Sequence, residues 1–440
     1  MTHSDIGVSR NRRVIRHMAG GLAARSASLL LMFYSTRLML ELLGAEELGI
    51  WLVVLGVLQW VTYFDFGISF GARNELARSL ARGDTETAAR VVATGYLYCL
   101  YVAVVLLLVS AGLLLTPLNH WLATVVFAGR DMGAVMALCL LAFVANFVLG
   151  FVQQIYAALE KGAVTAVYGL LVNVLLVMAL RGLLPGHTRI GEVAVVYCAA
   201  MILPNVAMTA WLFVRHPLLR PARGCIDHAL RPAILGVGLP LFVIQLCALV
   251  IFSTDRLIVS AAVGPHAVVT YDAAFKVFGV LTMVHGVAMG VLWSSFTHAH
   301  AQGDWVWIRR VLRRLQLVML PLALGCLTLV LLSPSLVRWW LGELAVGRTA
   351  LYLGFAVFVW LSCWSNIWAY FLNGIGEVRV QMYSALVAAG LNIPLSLWFA
   401  RGLGMGEAGV IWGTVVSLCF FSVIGPIETT RVIRKEALKA

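Results

Sequence analysis

Apolar runs of eighteen or more residues recur along the whole length of this 440-residue chain. A bilayer core of ~30 Å takes about 20 helical residues to cross, so a chain built from such runs is a polytopic helical membrane protein. Composition agrees: 61% of residues are hydrophobic and 12% charged, too few polar groups to cover a soluble protein of this size. Twelve spans are predicted, at 18–40, 48–70, 92–115, 132–157, 163–184, 191–214, 233–260, 266–293, 315–337, 349–372, 380–400 and 407–427. The loops between them are too short to fold into a catalytic domain, so any chemistry belongs inside the bundle.

One stretch occurs twice. Arg37–Arg90 and Arg256–Arg310 each run from an arginine through a Gly turn and a long apolar segment to a basic Gly-Asp segment. Gly44 matches Gly264, and Gly83-Asp84 matches Gly303-Asp304 at an offset of 220, half the chain. Later echoes are Arg181-Gly182-Leu183 with Arg401-Gly402-Leu403, and IGEVAVVY (190–197) with MGEAGVIW (405–412). An ordered series of matches indicates a duplicated unit. With six spans per copy both halves enter the membrane in the same sense, which makes the repeat parallel. The expected fold is all-α: two six-helix lobes around a central cavity. The expected layout is a cytoplasmic N-terminus (1–17), an N-lobe (18–214), a basic linker (215–232), a C-lobe (233–427) and a C-terminal tail (428–440).

The net charge of +12 lies mostly between spans. Of the 32 Lys and Arg residues, 22 fall on the side of the two termini, six on the other side and four within spans. This positive-inside distribution predicts cytoplasmic termini, and with no nucleic-acid motif beside it nucleic acid is not an expected partner. The basic segments 71–90 and 294–314 are read as short amphipathic helices in the headgroup layer. Trp339 and Trp340 are read as interfacial anchors. Arg25 interrupts the first apolar run, which therefore reads as an uncleaved helix and not a signal peptide. Seven of the eight cysteines lie in apolar runs and Cys225 in a basic loop, none in a CxxC, so they read as packing thiols. His298 and His300 have no carboxylate or cysteine cluster nearby, and no metal or other cofactor is expected.

The segment LGAEELGIWLVVLGVLQWVTYFDFGISFGARNELARSLARGD resembles the opening hairpin of bacterial polysaccharide flippases, the O-antigen and exopolysaccharide translocases. Leu43-Gly44, Gly49, Trp51, Asp65, Gly67, Arg73 and Gly83-Asp84 carry the resemblance. It implies membership of the multidrug/oligosaccharidyl-lipid/polysaccharide exporter superfamily, and a cationic central cavity lined by the first helices of each lobe.

The four basic residues within spans are Arg25, Arg37, Arg256 and Lys276. A charge at the bilayer centre costs about 2.5–3.5 kcal/mol on insertion scales, so each needs water, a partner or an anionic ligand. A pyrophosphate lipid head supplies that anion, and these four are the candidate cargo-binding residues. The alternatives are structural: Arg25, Arg37 and Arg256 snorkel to headgroups, while Asp272 and Lys276, four apart, pair on one helix. Asp255 sits beside Arg256 but points elsewhere, toward another span. Asp65 and His285, at similar depth, are candidate gating or protonation groups, and Asp65, Asp255 and Asp272 candidate ion carriers. Gly67xxxGly71 and Gly286xxxGly290 suit close helix packing, and Pro204, Pro240, Pro321 and Pro394 suit bending points.

The expected function is translocation of an undecaprenyl-pyrophosphate-linked oligosaccharide across the bacterial inner membrane by alternating access, without enzymatic chemistry. Expected partners are that cargo, membrane lipids, a proton or sodium ion, and the polysaccharide polymerase machinery. The rivals are a drug/cation antiporter of the same superfamily, a membrane glycosyltransferase or polymerase, and a scaffold. Against the antiporter, the first span holds Arg25 and Arg37, with Glu41 only at its edge.

Overall fold

The computed structural model of the protein describes residues 3–64, 67–114, 132–159, 161–184, 186, 188–221, 223–235 and 239–437. Among the described residues there are helices and turns and no strand, and nine of the helices have the length and apolarity to cross a bilayer. The fold is that of an all-α, multi-pass membrane protein.

The chain divides into two compact units. Among described residues, the first holds the chain up to Gly44, then Leu58–Leu114 and Met132–Leu239. The second holds Ala45–Val57 and the chain from Pro240 to Ala437.

Helix α1 (His3–Tyr63) is too long for one crossing, and Gly44 breaks it at φ 76°, ψ 172°. The predicted second span, 48–70, ends early as a helix. The chain leaves helical geometry after Tyr63, and Gly67, at φ 80°, starts α2 (Ile68–Ala81). Gly67 is thus a left-handed cap with no neighbour where its Cβ would stand, not a packing glycine. Gly286 likewise meets open space. Gly71 does permit a close approach: a Cβ there would stand 2.0 Å from the Ile234 carbonyl oxygen.

The first unit continues through α3 (Thr85–Leu114), α4 (Gly133–Ala158), α5 (Gly162–Gly182), α6 (Ile190–Arg215) and the short α7 (Arg231–Leu235). Its core gathers Ile68, Leu76, Val91, Phe151, Ile155 and Leu212. The basic linker is fastened to this unit. Thr94 Oγ1 accepts from Asp227 N at 3.0 Å, and Arg90 lies 3.5 Å from the Asp227 carboxylate. Helices α4 and α6 meet along a polar seam in matched steps of seven residues. Cys139 faces Cys198, and Asn146 accepts from Asn205 at 2.8 Å. Asn205 in turn accepts from Gln153 at 3.1 Å. Equal steps of about two turns keep one face of each helix toward the other.

In the second unit, the span predicted over 233–260 is divided at Thr254 into α8 (Leu239–Ser253) and α9 (Asp255–Ala262). It is followed by α10 (Pro265–Ala301), α11 (Trp305–Leu341), α12 (Thr349–Gly374), α13 (Arg379–Leu397) and α14 (Glu407–Ala437). A π-helical turn, Trp398–Gly402, follows α13. Gly409 and Gly413 let α14 close on the preceding segment: a Cβ at either would stand 2.5 Å from its backbone. Segment 294–314 does not form a separate interfacial helix. It is the end of α10, a tight turn at Gly303 and the start of α11.

The repeat is visible as backbone geometry. Gly83 and Gly303 have φ of 72° and 70°. Asp84 and Asp304 each accept from the amide three residues on, Thr87 and Trp307, at 2.9 Å. Their own amides donate to Ser79 and Ala299 carbonyls at 3.0 and 2.9 Å. The same cap thus ends one helix and starts the next in both copies.

Candidate functional site

Helices α9 and α10 are joined at Gly264, whose φ of 128° suits only glycine. The turn brings the start of α9 beside α10 and gathers five polar side chains in apolar surroundings. Asp255 and Arg256 come from α9; Tyr271, Asp272 and Lys276 come from α10.

Arg256 donates to Asp272 Oδ1 through Nε at 3.0 Å and Nη2 at 2.7 Å. Lys276 Nζ lies 2.7 Å from the other oxygen, Oδ2. The guanidinium also sits 5.4 Å from the Phe275 ring centroid, in cation–π range. Gly56 packs against the arginine stem: a Cβ there would stand 3.5 Å from Arg256 Cδ, an ordinary van der Waals contact. The Asp272 side chain is 1% exposed, while those of Arg256 and Lys276 are 17% and 14% exposed. One buried carboxylate thus holds two partly exposed cations, a trio with one positive charge in excess. Such an arrangement can hold an anion without losing its internal partner.

Asp255 points the other way, as the sequence suggests. Tyr271 Oη donates to its Oδ2 at 2.5 Å, and Thr414 Oγ1 on α14 lies 3.3 Å from its Oδ1. That hydroxyl is also 3.2 Å from the Val410 carbonyl, and its one proton serves one acceptor at a time. Asn392 on α13 donates to Thr414 Oγ1 at 2.9 Å. Asn392 Oδ1 is buried and has no hydrogen-bond partner among the described residues. Asp255 is thus 5% exposed and met by hydroxyl groups, while both neighbouring cations lie on Asp272.

The other sequence candidates are not among these five side chains. Arg37 pairs with Glu41 at 3.0 Å along α1, and both are about half exposed. Arg25 is exposed on the same helix. His285 is buried on α10, and its Nε2 has no partner among the described residues. Asp65 lies outside the described residues. Among the described residues no three His, Cys, Asp or Glu side chains are grouped to hold a metal. The sequence did not single out Tyr271 and Thr414. Their signal is a polar residue within an apolar helix, and for Tyr271 its place beside Asp272.

No protein-family model matches the chain. Two curated relatives resemble it over nearly full length. One is a putative O-antigen export protein of Yersinia pseudotuberculosis, 19% identical over 91% of each chain. The other is a putative O-antigen transporter of Salmonella typhi, 18% identical over 87% of this chain and 88% of its own. Among solved structures, the inward-facing conformation of a multidrug resistance MATE family transporter of the MOP superfamily superposes with a TM-score of 0.73. It is 15% identical, over 96% of this chain and 99% of that one. The fold is therefore that of these transporters.

Proposed function

We propose that this chain, folded like those transporters and similar along about nine-tenths of its length to O-antigen export proteins, is a polysaccharide flippase. Its cargo is an undecaprenyl-pyrophosphate-linked oligosaccharide, moved from the inner to the outer leaflet of the bacterial inner membrane. The observation that carries the reading is the Arg256–Asp272–Lys276 cluster, in which two partly exposed cations share one buried carboxylate. A diphosphate head cannot cross hydrocarbon unaided, and a fixed cationic site replaces its lost hydration. Twelve spans in two lobes, cytoplasmic termini and alternating access about a cavity complete the proposal. Arg25 and Arg37, on α1, are the further cationic residues assigned to the cargo.

The driving ion, a proton or sodium, belongs at Asp255. Asp272 is occupied by two cations, whereas Asp255 meets hydroxyls beside a buried amide oxygen with no partner among the described residues. A buried carboxylate of this kind takes up a proton or a small cation.

The test is export in cells deleted for the chain and complemented with variants. Arg256→Ala with Lys276→Ala is expected to leave lipid-linked oligosaccharide on the cytoplasmic leaflet while the protein still reaches the membrane. Normal export by that double variant would overturn the cargo assignment. The MATE fold motivates a second reading, a drug/cation antiporter. Under it the deletion would sensitise cells to cationic drugs and leave surface polysaccharide intact.

A further inference from the structure

The seam between α4 and α6 holds a thiol pair that the transport reading does not use. Cys139 Sγ and Cys198 Sγ lie 3.8 Å apart, and the two residues are 0% and 5% exposed. Both are free thiols. They occupy the position that Asn146 and Asn205 fill seven residues later, so a register fixed by hydrogen bonds below them holds them face to face.

We propose that Cys139 and Cys198 form an oxidisable dithiol, which a small hydroperoxide converts to a disulfide joining α4 to α6. A disulfide requires Sγ–Sγ of about 2.05 Å and Cβ atoms about 3.5–4.5 Å apart. Thiols already in contact at 3.8 Å have less than about 2 Å to close to reach that bond length. The bulk of glutathione or a protein disulfide keeps them out of the seam, whereas a peroxide is small and neutral. In the first step one thiol sulfur takes an oxygen from hydrogen peroxide, giving a sulfenic acid and releasing water. In the second the neighbouring thiol attacks that sulfur; the S–S bond forms, the S–O bond breaks, and a second water leaves with the thiol proton. Peroxide is the two-electron oxidant and is reduced to two waters. The adjacent thiol captures the sulfenic acid before further oxidation, and an added dithiol reverses the bond. The site is thus a redox-responsive staple within the first unit.

The test uses the full-length protein in lipid nanodiscs, treated with hydrogen peroxide, quenched, denatured and labelled with a maleimide. Two of the eight cysteines are expected to lose reactivity and to regain it with dithiothreitol. Peptide mapping of the wild type should recover Cys139 linked to Cys198. Cys139→Ser and Cys198→Ser should each form no reducible crosslink. Eight reactive thiols after peroxide, or a crosslink between any other pair, would overturn the proposal. Because mapping is read on the wild-type protein, the result does not depend on a variant folding.

Discussion

Arg256 places two of its nitrogens on a single oxygen of Asp272, at 3.0 and 2.7 Å, although sixteen residues separate the two in sequence. The second oxygen of that carboxylate is held by Lys276 at 2.7 Å. The three side chains therefore respond unequally to mutation. Asp272→Asn strands two partly buried cations and is expected to cost about 3–5 kcal/mol. Arg256→Ala or Lys276→Ala leaves the carboxylate one partner and costs less. Thermal unfolding of the purified variants checks the order, and Asp272→Asn as the mildest of the three would contradict the shared-carboxylate geometry.

Asp255→Asn removes the proposed ion site while keeping the shape of the side chain and its contacts with Tyr271 and Thr414. In proteoliposomes, transport by this variant is expected to stop responding to an imposed proton or sodium gradient. Binding of the lipid-linked cargo should stay within a few-fold of wild type. An unchanged gradient response would remove Asp255 from the coupling step.

Gly49 lies under the start of α10, where an added Cβ would stand 1.8 Å from the Pro265 carbonyl oxygen. Nothing flexible can yield there, so Gly49→Ala should destabilise by about 1–3 kcal/mol or prevent accumulation. Gly112 on α3 has no atom within 4 Å of its Cβ position. Gly112→Ala should be neutral or gain up to ~1 kcal/mol of helix propensity. Expression level and melting temperature measured side by side make the comparison.

His216 ends α6, with its Nε2 3.3 Å from Lys161 Nζ. Burial first, then the charges of Lys161 and Arg215, holds its pKa below the ordinary value of 6.5. The folded state therefore resists a proton that the unfolded chain accepts. Stability from this residue is intact above about pH 6.5 and declines as pH falls from there toward the lower folded value. His216→Gln should flatten the stability profile across that window, as measured by unfolding at stepped pH.

Most of the helical plan is legible in the sequence because span length and loop charge are local properties. The Gly-Asp repeat is legible for the same reason: its cap is closed by hydrogen bonds no more than five residues long. Where the structure departs from the reading, the cause is tertiary. The break at Thr254 falls in the polar stretch Ser253-Thr254-Asp255-Arg256 within the predicted span, with no glycine or proline beside it. The fastening of the 215–232 linker depends on Thr94 and Arg90, more than 130 residues away. The site is half legible. Lys276 meets Asp272 one helical turn away, as the spacing suggests, and the suggestion that Asp255 faces another span matches its place beside Thr414. The Arg256–Asp272 pair needs the α9–α10 turn, which spacing does not encode. Thr414 meets Asp255 at a separation of 159 residues, beyond the reach of any periodicity.

The 220-residue offset that superposes Gly83-Asp84 on Gly303-Asp304 sets Thr36, Leu52 and Gly56 against Arg256, Asp272 and Lys276. The backbone caps occur in both copies, whereas the ionic trio has no charged counterpart at that offset. The two copies of the repeat therefore differ in where their charge sits, and a transport cycle drawn with interchangeable halves would misdescribe them.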